Sequence, residues 1–315
     1  MKEFYSNGKL LLTGEYVVLD GALSLAIPTK FGQSLSVKNI DESKLVWKSF
    51  DNKGDVWFED SFLIKEIASV FSKPRNDVSK MLIEILNSAK QLNPNFLNDE
   101  KGYEVHTKLD FPKNWGLGSS STLIHNIANW ANVDAYQLLD LTFGGSGYDI
   151  ACAQNDNAIT YQLELNKEIS QSGRDDKTRL IKSIEFNPSF KDDLYFVYLN
   201  QKQNSREGIK QYKMNTSNLS NDISEINDIT IQMIDCVTLE EFKRLMNTHE
   251  LIISRIIKQE PIKTLFFKDF KGSIKSLGAW GGDFILVASN ENPKAYFNNK
   301  GFKTILNYSE MILEA

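Results

Sequence analysis

The sequence predicts an α+β fold built as two domains, residues 1–167 and 178–315. Some segments alternate apolar and polar residues while others repeat apolar residues at helical spacing, without the regular strand–helix alternation of a doubly wound sheet. A polar stretch from Glu168 to Lys177 has the character of a linker, with Ser170, Ser172, Gly173 and the charged run Arg174-Asp175-Asp176-Lys177. The 315 residues are 41% hydrophobic and include 19 Phe and only 7 Pro, enough apolar material for real cores and too much for a disordered chain.

The elements follow in order. Lys9-Leu10-Leu11-Leu12-Thr13 reads as a strand, broken at Gly14-Glu15 and resumed by Tyr16-Val17-Val18-Leu19 before the Asp20-Gly21 turn signal. Phe31 to Val37 alternates as a half-buried strand, and Val46 to Phe58 forms a hairpin around Asp51-Asn52-Lys53-Gly54. From Ser61 the period lengthens: Phe62, Ile64, Ile67, Ala68 and Phe71 mark one helix, and Val78, Met81, Leu82, Ile85, Leu86 and Ala89 mark a second. Tyr103 to Leu109 returns to strand spacing. Ser119 to Ala131 is helical, and Asp134 is an N-cap for a further helix to Leu141. Ala158 to Leu165 is a strand that closes the first domain. Beyond the linker, Leu180–Phe186 and Leu194–Leu199 are strands, and Ile223–Ile257 is helical in two pieces. Phe284–Ser289 is a strand, and Tyr296–Leu313 is helical or mixed.

Composition excludes several function classes. A net charge of −5 gives no reason to expect a nucleic-acid partner. Cys152 and Cys236 make no disulfide framework and no Cys or His pair has zinc-ligand spacing, so a reducing cytoplasm is the expected setting. Glu15 and Asp20 interrupt the apolar N-terminal stretch, which argues against a secretory signal. No stretch approaches the roughly 20 apolar residues that span a bilayer, so no membrane association is expected.

The chemistry concentrates in Gly116-Leu117-Gly118-Ser119-Ser120-Ser121-Thr122, between a strand and a helix. A phosphate needs several convergent donors. Glycines let backbone approach it closely, the helix start supplies amides and positive potential, and hydroxyls donate to phosphate or bind magnesium. The Walker loop requires a lysine absent here, and the dinucleotide fingerprint requires glycine spacing and an acidic residue that are also absent. Taken alone, the segment is equally a capped turn with a run of serines.

Its company decides between these. Pro112 through Ser120 has the form Pro-x-x-x-Gly-Leu-Gly-Ser-Ser and resembles the second motif of the GHMP kinases, the family of galactokinase, homoserine kinase, mevalonate kinase and phosphomevalonate kinase. Gly8-Lys9-Leu10-Leu11-Leu12-Thr13-Gly14-Glu15-Tyr16-Val17-Val18-Leu19 resembles the first motif, and Gly278-Ala279-Trp280-Gly281-Gly282-Asp283 the third. Gly145-Ser146-Gly147-Tyr148-Asp149-Ile150-Ala151 is similar to a segment of phosphomevalonate kinases, toward which Asp283 also leans. The resemblance implies a ribosomal protein S5 domain 2-like N-terminal half and a ferredoxin-like C-terminal half, with ATP and Mg2+ as cofactors.

Residue roles follow by implication from the resemblance. Asp149 is the base for the acceptor hydroxyl, or else a simple N-cap. Lys9 points into the site beside Asp149 and the transferred phosphoryl group, or else snorkels from a strand end. Gly116, Leu117, Gly118, Ser119, Ser120 and Ser121 cradle phosphates, with Ser120 also a magnesium ligand. Glu15 and Tyr16 shape the acceptor pocket, Tyr16 being equally suited to core packing. Ser146, Gly147, Gly281, Gly282 and Asp283 fall on the acceptor side. Lys202, Ser205 and Arg206, in the polar stretch from Asn200, grip a carboxylate or phosphate or form an exposed loop. Three departures stand out: Asn7 where proline is common, Trp280 within the glycine cluster, and Leu138 where mevalonate kinases place a magnesium-binding Glu. Asp140 is the nearest carboxylate and serves as the metal ligand or is merely exposed on its helix.

The expected activity is transfer of the ATP γ-phosphoryl group to mevalonate or 5-phosphomevalonate. Alternatives are another acceptor such as homoserine or a sugar, a diphosphomevalonate decarboxylation, or a catalytically silent relative that binds a metabolite. The expected partners are ATP and a small anionic metabolite, with the chain a monomer or homodimer.

Overall fold

A computed structural model describes residues 1–67, 76–98, 101–165, 177–203, 205–215 and 218–314. In chain order the elements are β1 (Lys2–Leu11), a 3-10 turn (Val17–Asp20), β2 (Ser24–Ile40), β3 (Lys44–Phe50), β4 (Val56–Leu63), α1 (Ile64–Ile67), α2 (Asp77–Leu92) and β5 (Gly102–Leu109). There follow α3 (Ser119–Ala131), α4 (Ala135–Leu141), α5 (Tyr148–Ala153), β6 (Ala158–Leu165), β7 (Lys177–Ile184), a 3-10 turn (Lys191–Asp193) and β8 (Leu194–Tyr198). The chain then forms α6 (Ser205–Asn215), α7 (Ser220–Asp235), α8 (Leu239–Ile257), α9 (Ile262–Phe266), β9 (Ser273–Ser276), β10 (Phe284–Ala288), α10 (Lys294–Asn299), β11 (Ile305–Asn307) and α11 (Tyr308–Met311). The fold class is α+β, as the sequence predicts.

Two compact units emerge. The first comprises Met1–Gly8, Phe31–Lys113 and Leu117–Gln154, the second Lys9–Lys30, Asn114–Gly116 and Asn155–Ala315. The second unit takes most of the first motif, from Lys9 onward, and the residues Asn114–Gly116 within the second. It also takes β6, which pairs along its whole length with β7. The expected linker lies outside the described residues except for Lys177, which opens β7.

In the first unit β4, β3, β5 and the second half of β2 lie side by side, antiparallel except for the parallel β3–β5 pair. Alternate residues such as Leu35, Val37, Leu45, Trp47 and Val105 face a core completed by Leu82, Ile85, Leu86, Ile124 and Ile127 from α2 and α3. Asn76 caps α2 by accepting from the Ser79 N–H at 2.9 Å, and Asp134 caps α4 from the Gln137 N–H at 2.8 Å. In the second unit β11, β8, β10 and β9 form an antiparallel sheet in that order. Its core gathers Val197, Phe267, Ile274, Ile285, Val287 and Phe297, and α8 packs on β9.

Three local expectations are corrected. Tyr16–Leu19 is not a strand: Val17 and Val18 are both buried, at 0% and 3% exposure, which consecutive residues of a half-buried strand do not achieve, and the 3-10 turn allows it. β4 runs on through Phe62, whose ring faces the core in the alternating pattern, so the helix begins only at Ile64. Ala68 and Phe71 lie outside the described residues. The polar stretch after β8 turns helical at Ser205, where a thin apolar stripe ending in buried Tyr212 seats α6. Among the described residues no helix is long and apolar enough to cross a membrane.

Candidate active site

In the first unit the Gly-Ser loop opens α3. Gly118 sits at φ 92°, ψ 38°, left-handed values that cost a residue with a Cβ about 1–2 kcal/mol. The Thr122 N–H donates to the Gly118 carbonyl at 3.0 Å, so the amides of Ser119, Ser120 and Ser121 have no carbonyl partner within the helix. Leu117 is fully buried and anchors the loop. The three serines divide their labour. Ser121 is buried and its hydroxyl donates back to the Gly118 carbonyl at 2.8 Å, whereas Ser120 is exposed. Thr122 donates to Gln33 Oε1 at 2.8 Å and fixes the helix start to β2.

Asp149 lies in the first turn of α5, half-exposed, and α5 packs against α3. The turn before it carries Ser146, buried, and Gly147 in the left-handed cap position at φ 89°. Asp140 is exposed on α4, while Leu138 is fully buried in the core. Leu138 therefore serves packing.

In the second unit Lys9, Leu10, Leu11, Trp115, Gly116, Leu277, Gly278, Asp283 and Phe284 line one crevice of about 10 Å³, room for a single water. Asp283 is the crevice's acidic wall. Its N–H donates to the Gln201 carbonyl at 2.6 Å, its carbonyl accepts from the Leu199 N–H at 2.8 Å, and its carboxylate accepts from the Gln203 N–H at 3.3 Å. Burial pushes this carboxyl up, opposed by the Gln203 N–H and the cations of Lys9 and Lys202. Gly116, at φ 71°, is in close contact: a Cβ there would fall 2.5 Å from the Asp283 Cγ. Trp115 stacks edge-on against Phe284 at 5.3 Å and holds the opposite wall.

The remaining expected acceptor residues are dispersed within this unit. Glu15 is 1% exposed, its carboxylate hydrogen-bonded to Lys275, so it faces the interior instead of an open pocket. Tyr16 is also buried; its hydroxyl donates to the Ala279 carbonyl at 3.0 Å and its ring stacks on Tyr212 at 5.5 Å. Lys202 is exposed, and Ser205 and Arg206 open α6, their side chains lying outside the described ones. Gly282 backs onto the Gln201 carbonyl and Gly281 onto Gln203. Trp280 is 2% exposed and is not among the residues lining the crevice.

Sequence reasoning missed a second polar centre in this unit. His249 and Glu250 on α8 and Lys275 and Ser276 on β9 surround Glu15, all with 3% exposure or less. The Gly14 N–H donates to His249 Nε2 at 2.9 Å, which leaves the ring proton on Nδ1, and burial holds this imidazole well below its ordinary pKa. Burial likewise pushes the Glu15 carboxyl up against the pull of Lys275. Glu250 accepts the Ser276 N–H at 3.0 Å and its hydroxyl at 2.7 Å. No spacing rule links residues 15, 249 and 275, so no sequence signal pointed here.

Solved structures share this architecture end to end. The mevalonate kinase of Methanococcus jannaschii is 15% identical with a TM-score of 0.69, covering 100% of this chain and 98% of that one. The Streptococcus pneumoniae phosphomevalonate kinase, in complex with phosphomevalonate and AMPPNP, is 15% identical with a TM-score of 0.67, covering 100% and 99%. The Lactococcus lactis galactokinase complexed with galactose is 14% identical with a TM-score of 0.64, covering 99% and 95%. The chain has the GHMP kinase fold. No sequence-family model matches it, and no curated protein matches it in sequence.

Within the GHMP kinase fold, the residues at α3 fit a polyphosphate. Three amides open at the helix N-terminus, the left-handed glycine brings backbone close, and the exposed Ser120 hydroxyl is a hard oxygen ligand of the kind magnesium takes. Among the described residues no group of three or more His, Cys, Asp or Glu side chains is placed to hold a metal.

Proposed function

We propose that this protein is an ATP-dependent kinase that transfers the γ-phosphoryl group to a small anionic metabolite, with mevalonate or 5-phosphomevalonate as acceptor. The observation that carries the reading is the start of α3: left-handed Gly118, three amides without helical partners and the exposed Ser120 hydroxyl. The full-length likeness to mevalonate and phosphomevalonate kinases supports the acceptor class.

In this reading the amides of Ser119, Ser120 and Ser121 hold the phosphate oxygens, and Ser120 also faces the metal. Mg-ATP supplies the phosphoryl group, and its metal offsets phosphate charge. With mevalonate as acceptor, Asp149 takes the hydroxyl proton as that oxygen bonds to the γ-phosphorus and the bond to the β-phosphate oxygen breaks, releasing ADP; the ionised phosphate oxygen of 5-phosphomevalonate attacks in the same way with no proton to give up. Within the second unit Lys9 is the cation assigned to catalysis, and Asp283, braced by Gln203, holds its crevice in shape. The galactokinase likeness, of nearly equal extent, favours a sugar as the second acceptor to try.

A coupled ADP-release assay with Mg-ATP and mevalonate, 5-phosphomevalonate, homoserine or galactose tests the reading. Turnover with mevalonate or 5-phosphomevalonate supports it, turnover with galactose or homoserine alone moves the acceptor, and ADP release with none favours a silent binding protein.

A further inference from the structure

We infer that Glu15 and Lys275 form a buried ion pair that positions the turn of the first motif for the acceptor, and that Glu15 itself makes no acceptor contact. The positioning role rests on the kinase reading above; the pairing does not. Glu15 is 1% exposed and Lys275 0%, so neither charge presents a face to a ligand. Lys275 Nζ donates to Glu15 Oε1 and, at 3.0 Å, to the Ser276 carbonyl.

Enclosing two charges is costly, and two apolar side chains of similar volume commonly serve stability as well or better. The pair also leaves Glu15 Oε2 without a hydrogen bond, 3.5 Å from His249 Nε2. Stability alone therefore accounts poorly for it. Geometry accounts for it well. Three consecutive residues are each tied elsewhere: Gly14 to His249 on α8, Glu15 to Lys275 on β9, and Tyr16 to the Ala279 carbonyl in the glycine-rich loop after β9. Tyr16 needs such restraint, since it sits at φ 65°, ψ −52°, a region disfavoured for a residue with a Cβ. Glu250 grips Ser276 at both its N–H and its hydroxyl and so fixes the end of β9. From there the chain runs through Gly278 to Asp283, the crevice wall facing Lys9. The buried pair thus holds the first and third motifs in register within one unit.

Glu15→Gln, Lys275→Met and the double variant separate the possibilities. Each single change strands one buried charge and lowers Tm by roughly 10 °C, and the double variant recovers more than half of that loss. In the folded single variants kcat/KM for the acceptor falls about 10–100-fold with KM for ATP unchanged, and the double variant recovers acceptor KM together with Tm. Additive Tm losses overturn the pairing. An acceptor KM raised as much in the double variant as in Glu15→Gln shows that Glu15 touches the acceptor, and wild-type kinetic constants in the folded single variants show a merely structural pair; either result overturns the inference. The Tm cycle needs no turnover, so a wild-type protein that releases no ADP defeats the kinase reading while the pairing is still decided.

Discussion

The start of α3 and the surroundings of Glu15 are both polar, and they are built by opposite means. At α3 the donors are backbone amides left over by the helix itself, shaped by one left-handed glycine, with a single exposed hydroxyl added. Around Glu15 the polar groups are side chains from the first motif, α8 and β9, sealed from solvent and dependent on one another. The first arrangement presents donors to a ligand. The second spends its hydrogen bonds internally and can act on a ligand only by placing other groups. Changes at the α3 side should therefore cost activity with little stability, and changes in the buried cluster should cost stability first.

The largest expected effect is on the catalytic side of that contrast. Asp149→Ala lowers kcat by about 10³-fold with Tm within a degree or two of wild type, read by ADP release and thermal unfolding. A variant that turns over at the wild-type rate removes Asp149 from the mechanism.

The buried cluster yields a pH signature. Burial pushes the Glu250 carboxyl from its ordinary 4.5 up to about 7, with the Glu15 charge adding and Lys275 and Ser276 opposing. Because the folded value lies above the unfolded one, this group's contribution is fully present below about 4.5 and is lost as pH rises through about 7. The stability of wild type relative to Glu250→Gln should thus fall by about 3 kcal/mol over that window, measured by denaturant unfolding. A constant difference would show that Glu250 is charged in the fold throughout.

Gly116→Ala introduces a Cβ 2.5 Å from the Asp283 Cγ at φ 71°, and about 2 kcal/mol of stability should be lost, checked by thermal unfolding. The smallest effect sharpens the division among the serines. Ser121→Ala loses the hydroxyl bond to the Gly118 carbonyl and about 1 kcal/mol, while Ser120→Ala leaves stability within about 0.5 kcal/mol and lowers kcat about tenfold. Reversed outcomes for the two serines would exchange their roles.

The two regions also differ in how legible they are in the chain. Gly116 to Thr122 announces itself because two closely spaced glycines and a run of hydroxyls beside a helix period leave few structural options, and the helix from Ser119 to Ala131 has the boundaries its periodicity predicts. The strands Tyr103–Leu109 and Phe284–Ser289 were readable for the same reason, their patterns being local. The Glu15 cluster is not local. Lys275 sits in a four-residue strand whose every position is buried, and nothing in Ser-Ile-Lys-Ser says that its lysine faces a carboxylate 260 positions earlier. Tyr16–Leu19 misleads in the same way, since an apolar run fits a buried strand or a tight turn equally and only tertiary packing chooses. The pairing of β6 with β7 is equally non-local in the sequence, since the two strands lie on either side of the polar stretch.

The central claim is that the amides opening α3 receive a nucleotide's phosphates. A crystal structure with Mg2+ and a non-hydrolysable ATP analogue tests it most directly. The account predicts phosphate oxygens within hydrogen-bond distance of the Ser119, Ser120 and Ser121 amides and the metal against the Ser120 hydroxyl. An analogue bound elsewhere, with those amides facing only water, would contradict it.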